Sequence, residues 1–309
     1  MVKRFIFFLF SCLTLAACAG QPVVSAQIKY AVIPESPRPG DPVTIAINIS
    51  AQDALLFVNE KQAGKAAFFV VSAERRRPSF SAAILTIPNT AAPGDAVIRL
   101  NNDSGLLLEI PITIAQREFR TGTINITPSL SNILTDPDPQ RRIESERLWE
   151  ILSTTGDRLY HSGKFDLPVA STRRTSPFGA RRVNIYPDDR RTTEIHAGVD
   201  FGIPTGTEVH ACGAGKVVLS RHRIVTGYTV IIEHAPGIYS LYYHLDSVVA
   251  KEDSIVRAGE LIGLSGSTGF STGPHLHWEL RVNAEMTDPD AFVERPLIDK
   301  DQIIRKIFN

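Results

Sequence analysis

The chain has 309 residues, with 33 basic and 33 acidic side chains and a formal net charge of zero. This balance gives no electrostatic reason to expect nucleic acid as a partner. With 43% hydrophobic residues and no low-complexity block, the chain is long enough for two domains.

The N-terminus has the pattern of an export signal. Lys3 and Arg4 precede an apolar run that is too short to be a lasting membrane span. The run ends in Leu-Ala-Ala-Cys18, which resembles the lipobox of bacterial lipoproteins. That resemblance implies an acylated Cys18 and a lipid-anchored protein of the cell envelope, facing the periplasm or cell wall. Residues 24–26 offer an alternative cleavage site that would give a soluble product, and we assign residues 1–26 to this region.

Cysteine usage agrees with export. Cys12 falls in the signal and Cys18 in the lipobox, so Cys212 is left alone in the mature chain and no disulfide framework can form. We interpret Cys212 as a small buried hydrophobe. A cysteine-peptidase interpretation would require its thiol to lie beside a histidine in an electropositive site.

Residues 27–117 are predicted to form an immunoglobulin-like β-sandwich. Seven short β-runs are expected here, and apolar residues alternate most clearly in Val43–Ile49 and in Leu106–Ile114. The dipeptide Pro-Gly, ending at Gly40 and again at Gly94, supplies turns. No catalytic constellation falls in this domain, so spacing, substrate docking and partner binding are its candidate roles.

The segment 118–164 is predicted to be a linker that contains one helix. Asp138 can cap that helix and Pro139 suits its first position. An apolar stripe should follow, ending near Gly156. The stripe consists of Ile143, Leu148, Ile151 and Leu152. The tail at 291–309 has apolar residues at helical spacing and is predicted to pack as a short helix.

The stretch from Gly273 to Leu280 combines polar and apolar residues with period two. In a strand, His275, His277 and Glu279 share one face, because side chains alternate between the faces. The large apolar residues Leu276, Trp278 and Leu280 then occupy the other face and anchor the strand to a core.

A second polar stretch places His196 and Asp200 at i and i+4, and Gly198 between them favours an extended chain. Two imidazoles and a carboxylate form the usual three-ligand set of catalytic zinc. Such an ion lowers the pKa of bound water from 15.7 to about 7. The spacing alone leaves open whether His275 or His277 holds the metal, and His244 lies on a further predicted strand.

The region around these residues is rich in predicted strands separated by glycine turns, which indicates a compact antiparallel β-domain. The expected strands are Lys216–Leu219, Thr229–Glu233, Tyr239–His244, Leu261–Leu264 and His275–Val282. The glycine-rich run at 266–273 precedes no helix, so we expect a mobile loop at the edge of a groove rather than a phosphate-binding loop.

Several short motifs between about Phe165 and Asp290 resemble, in order and spacing, the lysostaphin-type or LytM family of zinc metalloendopeptidases, which share the duplicated-hybrid-motif fold. The motifs are Thr-Ser-Pro-Phe-Gly-Ala-Arg181, His196 to Asp200, Pro-Thr-Gly-Thr207, Tyr-His-Leu245, Gly-Ser-Thr-Gly269 and Gly-Pro-His-Leu-His277. The resemblance covers about 120 residues, and it implies that residues 165–290 form a catalytic domain in a mainly β protein.

Position by position, the resemblance implies that His196, Asp200 and His277 bind one zinc ion. It also implies that His244 and His275 handle protons and stabilise the developing oxyanion. The implied activity is hydrolysis, by metal-activated water, of peptide bonds in bacterial peptidoglycan, in either cross-links or stem peptides. The sequence makes no prediction of the oligomeric state.

Two other functions are compatible with the same resemblance. Some relatives keep the fold, lose metal ligands and regulate other wall hydrolases, and a structural envelope lipoprotein could carry a vestigial site. The presence of all five positions favours an enzyme.

We further hypothesise that the linker or the sandwich lies over the cleft. A basic run just before the first zinc motif, at His196, has two interpretations, a solvated loop or a surface that binds the carboxylates of an anionic wall polymer. The run comprises Arg173, Arg174, Arg181, Arg182, Arg190 and Arg191.

Overall fold

The computed structural model describes residues 28–72 and 77–308. The predicted signal region at 1–26 and the predicted lipidation site Cys18 lie outside the described residues. Within the described ranges, none of the helices is both long and apolar enough to cross a membrane. The described chain is mainly β, as predicted.

The N-terminal domain is a sandwich of two four-stranded sheets, ordered β1-β2-β6-β5 and β4-β3-β7-β8. Its strands are β1 (Tyr30–Ile33), β2 (Pro42–Ile47), β3 (Asp53–Val58), β4 (Lys61–Ala67), β5 (Phe69–Val71), β6 (Phe80–Thr86), β7 (Gly94–Asn102) and β8 (Gly105–Ile114). The described part therefore holds eight strands where we predicted seven. Alternating apolar residues from both sheets, such as Ile45, Leu56, Leu85 and Ile98, fill the space between them.

The segment that follows contains more structure than the sequence predicted. It forms β9 (Thr121–Asn125), α1 (Pro128–Thr135) and α2 (Pro139–Ser153). The predicted cap of α2 is confirmed, because the Asp138 side chain accepts a hydrogen bond from the Gln140 backbone N–H at 2.8 Å. The predicted stripe is only partly right: Ile151 and Leu152 are buried, whereas Ile143 is exposed.

The C-terminal domain is built on one large, mainly antiparallel sheet and a smaller sheet beside it. Its strands are β10 (Arg174–Ser176), β11 (Arg181–Ile185), β12 (Arg191–Ile195), β13 (Gly198–Phe201), β14 (Glu208–His210), β15 (Gly215–Arg223), β16 (Gly227–Ala235), β17 (Ile238–Val248), β18 (Ile255–Val256), β19 (Leu261–Ser265), β20 (Leu276–Val282) and β21 (Glu285–Thr287). The large sheet follows the order β10-β13-β20-β17-β16-β15-β18. The small sheet, β12-β11-β9, includes the interdomain strand.

The tail forms two short helices, α3 (Asp290–Glu294) and α4 (Lys300–Phe308). Ile303 and Ile307 of α4 are fully buried, as their helical spacing predicts. They join a core that spans both domains, since it also contains Ala46 and Ile84 of the sandwich and Trp278 of the large sheet. One sheet of the sandwich therefore packs directly on the C-terminal domain.

A buried ion cluster connects the two domains where β8 leads into the linker. The guanidinium of Arg117 contacts Asp41 of the sandwich at 3.3 Å and also pairs with Asp288 of the C-terminal domain. Both carboxylates are buried. The start of the interdomain segment is therefore held by charges from both sides.

Candidate metal centre

The strands β13 and β20 bring the two predicted motifs side by side. They pair antiparallel, with Asp200 opposite His277 and Val199 opposite Trp278. A Cβ on Gly198 would lie 2.2 Å from the carbonyl oxygen of Trp278, so only glycine permits this approach. The predicted faces of β20 are confirmed, because Leu276, Trp278 and Leu280 are fully buried on the side opposite His277.

The side chains of His196, Asp200 and His277 converge on one point. The Nε2 atom of His196 lies 3.0 Å from Oδ1 of Asp200 and 3.0 Å from Nδ1 of His277. His277 Nδ1 lies 2.7 Å from the same carboxylate oxygen. All three residues are buried, and their ligand atoms form the cluster within the described residues that could hold a metal ion.

Hydrogen bonds made by the outer atoms of these side chains determine which atoms face inward and whether those atoms carry a proton. Nδ1 of His196 lies 2.8 Å from the Pro177 carbonyl oxygen, which can only accept, so His196 carries its proton there. His277 likewise donates from Nε2 to Glu279 at 2.9 Å. Oδ2 of Asp200 accepts from Arg182 at 2.8 Å. The inward atoms are therefore two imidazole lone pairs and a carboxylate oxygen, a set of acceptors that fits a cation.

The charges around the cluster are strongly coupled. Burial alone would raise the pKa of Asp200, but the adjacent imidazoles of His196 and His277 lower it far below its ordinary value. Burial lowers the pKa of His196. His277 is also buried, yet its bonds to Asp200 and Glu279 raise its pKa to about 9. Without a metal, the cluster thus attracts a positive charge to the position where the three inward atoms meet.

Beside the cluster, His244 and His275 form a second pair whose ring centroids are 4.8 Å apart. Nδ1 of His244 donates to the Thr268 carbonyl oxygen at 2.8 Å, and Nδ1 of His275 donates to that of Gly273 at 2.7 Å. Each ring therefore keeps a free acceptor at Nε2, and Nε2 of His275 lies 3.9 Å from Asp200 Oδ1.

His244 has two features of a functional residue. Its backbone adopts φ of 60°, a left-handed conformation that is uncommon for a residue with a side chain. Burial lowers the pKa of its imidazole to about 3, so the ring is neutral at physiological pH.

The cluster lies in a groove of about 730 Å³. The lining comes from residues 120–124, 173, 175–177, 194–197, 200, 270–275 and 277, with Arg182, Tyr243, His244 and Glu279 among the others. The glycine-rich loop borders the groove, as predicted. Of the described residues, none before Arg120 lines it, so the linker and not the sandwich reaches the cleft.

Sequence reasoning missed two contributors to the site. Arg182 stood out only as one of six arginines, but it orients Asp200 and also donates to Ser176 at 2.7 Å. Of the other five arginines, Arg181 and Arg191 lie on the paired strands β11 and β12 and Arg190 lies in the turn between them. Arg174 is on β10, and Arg173 precedes it. The second contributor is β9, whose sequence carries no strand alternation to reveal it.

Cys212 has none of the surroundings of a nucleophile. Its side chain is fully buried, and burial raises the pKa of the thiol to about 12. Its sulfur lies 3.6 Å from Nε2 of His234, but that nitrogen accepts from Ser240 at 2.7 Å. The thiol therefore stays protonated, which agrees with the interpretation of Cys212 as a core residue.

An antiparallel β-domain that presents two imidazoles and a carboxylate in an open groove has the architecture of a metal-dependent hydrolase. Comparison with known proteins gives the family: residues 194–289 match the family model of Peptidase family M23. The C-terminal domain therefore belongs to peptidase family M23, and the resemblance to the lysostaphin type is confirmed.

Two curated relatives match part of this chain. DD-carboxypeptidase/endopeptidase Mpg of Neisseria meningitidis is 41% identical over 135 residues, which cover 43% of this chain and 30% of Mpg. Peptidoglycan DD-endopeptidase ShyA of Vibrio cholerae is 42% identical over 116 residues, covering 37% of this chain and 26% of ShyA. The chain thus spans less than a third of the length of these curated relatives.

A solved structure is similar to this chain over most of its length. It is a crystal structure from Pseudomonas aeruginosa assigned to peptidase M23, with a TM-score of 0.59 and 25% sequence identity. The match covers 84% of this chain and 95% of that one. This share is larger than the C-terminal domain, so the likeness extends into the N-terminal part.

Proposed function

We propose that this protein is a zinc metalloendopeptidase that hydrolyses peptide bonds in bacterial peptidoglycan. The observation that carries the proposal is the convergence of His196, Asp200 and His277, whose inward atoms are all acceptors. A buried set of this kind is costly unless a cation satisfies it. Its position in an open groove leaves access for a polymer.

In this proposal His196, Asp200 and His277 hold one zinc ion. When bound, zinc supplies a Lewis acid that polarises a carbonyl group and makes water acidic enough to react near neutral pH. Arg182 holds the outer oxygen of Asp200, and Glu279 holds the outer nitrogen of His277. These two residues keep the ligand atoms pointed inward before any metal arrives.

His244 and His275 are suited to move protons. Both rings are anchored through Nδ1–H to a backbone carbonyl, which leaves Nε2 free as a base facing the groove. We propose that one Nε2 accepts the proton of the attacking water and passes it to the leaving amine. The protonated ring can also donate a hydrogen bond to the developing oxyanion.

Peptidoglycan is proposed as the substrate because of the relatives. ShyA is named a peptidoglycan DD-endopeptidase, and Mpg is named a DD-carboxypeptidase/endopeptidase. Residues 194–289, which match the family model, contain all five proposed site residues. Both cross-links and stem peptides contain amide bonds that could enter the groove.

We also propose that the protein is exported and lipid-anchored through Cys18. The support is the sequence of residues 1–26 and the location of peptidoglycan outside the cytoplasm. Mass spectrometry of the N-terminal peptide from membrane-extracted protein tests this: an acylated Cys18 is expected. An unmodified N-terminus near residue 27 would instead show that the signal is cleaved after residues 24–26 and that the protein is soluble and not lipid-anchored.

The activity is tested with the purified, zinc-loaded protein on purified peptidoglycan, with released fragments identified by mass spectrometry. Release should stop on addition of a chelator and return with zinc. The variant His277→Ala should lose both zinc and activity. The control His210→Ala, on a half-exposed residue paired with Glu208 at 3.5 Å, should keep both.

The same experiment separates the enzyme from the alternative of a non-catalytic module that regulates other wall hydrolases. Such a module would bind peptidoglycan without releasing any fragment, whether or not zinc is present. Full activity of His277→Ala would instead refute the ligand assignment.

A further inference from the structure

The interdomain strand β9 has an unpaired edge. It runs parallel to β11, and among the strands of the described chain it pairs with β11 alone. The Arg120 carbonyl accepts from Arg181 N–H, and Ile126 N–H donates to the Ile185 carbonyl, both at 2.8 Å. Because backbone groups of a parallel strand alternate between its two sides, the N–H and C=O groups of Thr121 and Thr123 point away from β11. They are free to pair with another strand.

This strand forms part of the groove that contains the metal centre. Residues 120–124 line that groove together with His196, His275 and His277. The five residues of β9 extend over roughly 16 Å at about 3.3 Å each, the length of a short extended peptide. Near the end of β9, Ile124 packs on the same small apolar cluster as Phe270 of the glycine-rich loop. Ile124 and Phe270, which both line the groove, are thus held together by this cluster.

The groove also carries positive charge without a matching acid. Arg120 and Arg173 are exposed and line it. Within the described ranges neither guanidinium forms an ion pair, and Arg173 donates only to the Gly202 carbonyl at 3.2 Å. Asp200 and Glu194, by contrast, both pair with Arg182. The unpaired guanidinium groups suit a ligand with free carboxylates.

The position of β9 is fixed before any ligand binds. Arg117, four residues before the strand, is held between Asp41 and Asp288. The guanidinium of Arg181 then stacks 4.3 Å above the ring of Phe119. The docked sandwich therefore holds the linker against the C-terminal domain, and a preorganised edge loses little entropy on binding.

We propose that β9 is a substrate-binding edge: an extended, carboxylate-bearing peptide pairs with Thr121 and Thr123 while Arg120 and Arg173 bind its carboxylates. The peptide lies as an added strand, with its scissile bond directed to the metal centre. This inference rests on the proposed function and deepens it, because it defines the substrate as an extended acidic peptide. It also makes the interdomain segment part of the active site.

The backbone contact is tested with Thr123→Pro and its matched control Thr123→Ala. Proline removes the N–H on the open edge of β9 and leaves the bonds to β11 intact, whereas alanine removes only the side chain. With a soluble acidic wall peptide as substrate, Thr123→Pro should raise KM about tenfold with kcat nearly unchanged. Thr123→Ala should match the parent. Equal KM values for the two variants, with equal thermal unfolding, would overturn the pairing.

The charge contact is tested with Arg120→Gln and Arg173→Gln against Arg305→Gln, an exposed arginine on α4. The two groove variants should each raise KM several-fold, and the effect should disappear when the carboxylates of the peptide are amidated. Arg305→Gln should behave as the parent. These exposed substitutions decide the proposal even if Thr123→Pro does not fold.

Binding separates failure of this inference from failure of the proposed function. Calorimetry of the zinc-loaded protein with the acidic peptide, at low temperature, measures the affinity of the peptide for the groove without hydrolysis. If the parent binds but cleaves no peptide, and Arg120→Gln and Arg173→Gln bind it more weakly, the proposed function fails and the edge assignment stands. If the parent cleaves and the Arg120, Arg173 and Thr123 variants all match it, the edge assignment fails alone.

Discussion

The carboxylate of Glu279 lies 2.9 Å from Nε2 of His277, on the side of the imidazole that faces away from Asp200. Arg281 pairs with the other carboxylate oxygen at 2.7 Å. Burial opposes ionisation of Glu279, but the charge of Arg281 and the bond to His277 lower its pKa to about 2. One buried acid thereby fixes the tautomer and the orientation of a proposed zinc ligand.

Replacing this acid should weaken metal binding. In Glu279→Gln the side chain is neutral and no longer neutralises the charge of Arg281. Its NH2 group is a donor and cannot accept from the imidazole N–H of His277, so the ring is oriented less firmly. We expect zinc affinity to fall about 10- to 100-fold, as is usual for partners of ligating histidines. Competition with a chromophoric chelator measures the change. Glu285→Gln, on the exposed side of β21, is the control, and equal affinities for the two variants would contradict the assigned role.

The same metal centre is predicted to require glycine at position 198, because only glycine lets the backbones of β13 and β20 approach each other closely enough. In Gly198→Ala the new methyl group meets the Trp278 carbonyl oxygen at 2.2 Å, so β13 and β20 must move apart. We expect a loss of about 1–3 kcal/mol in the free energy of unfolding, as for an overpacked core, together with weaker zinc binding. Gly163→Ala, whose nearest neighbour would be 3.5 Å away, should change neither quantity by a comparable amount. Denaturant unfolding and chelator competition measure both.

The metal centre was accessible to sequence reasoning because its signal is local. Period-two alternation at 275–280 predicts which residues share a face, and Gly198 indicates an extended chain beside it. The family resemblance then separated His277 from His275, which alternation could not do. The structure places both histidines at the groove, but only His277 has an atom within 3.0 Å of both His196 and Asp200.

The rest depends on contacts between distant segments, which a local pattern does not encode. The strand β9 has mostly exposed side chains and owes its conformation to β11, some sixty residues later, as the pairing of Thr121 with Arg181 illustrates. Likewise, which arginine reaches Asp200 is decided by the register of β11. Ile143 was placed on a buried stripe by its spacing, yet its side chain is exposed, while the next residue, Glu144, contacts Arg223 through its backbone carbonyl.

The interdomain ion cluster should contribute strongly to stability. Arg117→Met leaves the buried carboxylate of Asp288 without its ion-pair partner, and it leaves Asp41 with only the exposed Arg38, at 3.3 Å. Breaking a buried pair in this way costs about 3–5 kcal/mol. Arg142→Met, which breaks an exposed i,i+4 pair with Glu146 on α2, should cost less than about 1 kcal/mol. Urea denaturation of both variants provides the comparison, and equal losses would mean that the cluster is not a buried pair in solution.

His234 should make folding sensitive to acid. Its Nδ1–H donates to the Ala214 carbonyl at 2.8 Å and its Nε2 accepts from Ser240 at 2.7 Å, so the ring is neutral. Burial lowers its pKa to about 3. The unfolded state, with a pKa of about 6.5, binds a proton between these values while the folded state does not. The contribution of His234 to the free energy of unfolding is thus fully present above about pH 6.5. Below that pH, the contribution falls by about 1.4 kcal/mol per pH unit.

The measurement compares the parent with His234→Gln by urea denaturation between pH 7 and pH 4, with a chelator present throughout so that metal release does not contribute. Glutamine should destabilise the protein at pH 7, because it cannot reproduce both hydrogen bonds in the buried site. As the pH falls, the parent should lose stability faster than the variant, so the difference between them should shrink. The control His222→Gln, on an exposed strand end, should show a constant difference. A difference for His234→Gln that stays constant down to pH 4 would mean that the buried ring does not oppose protonation.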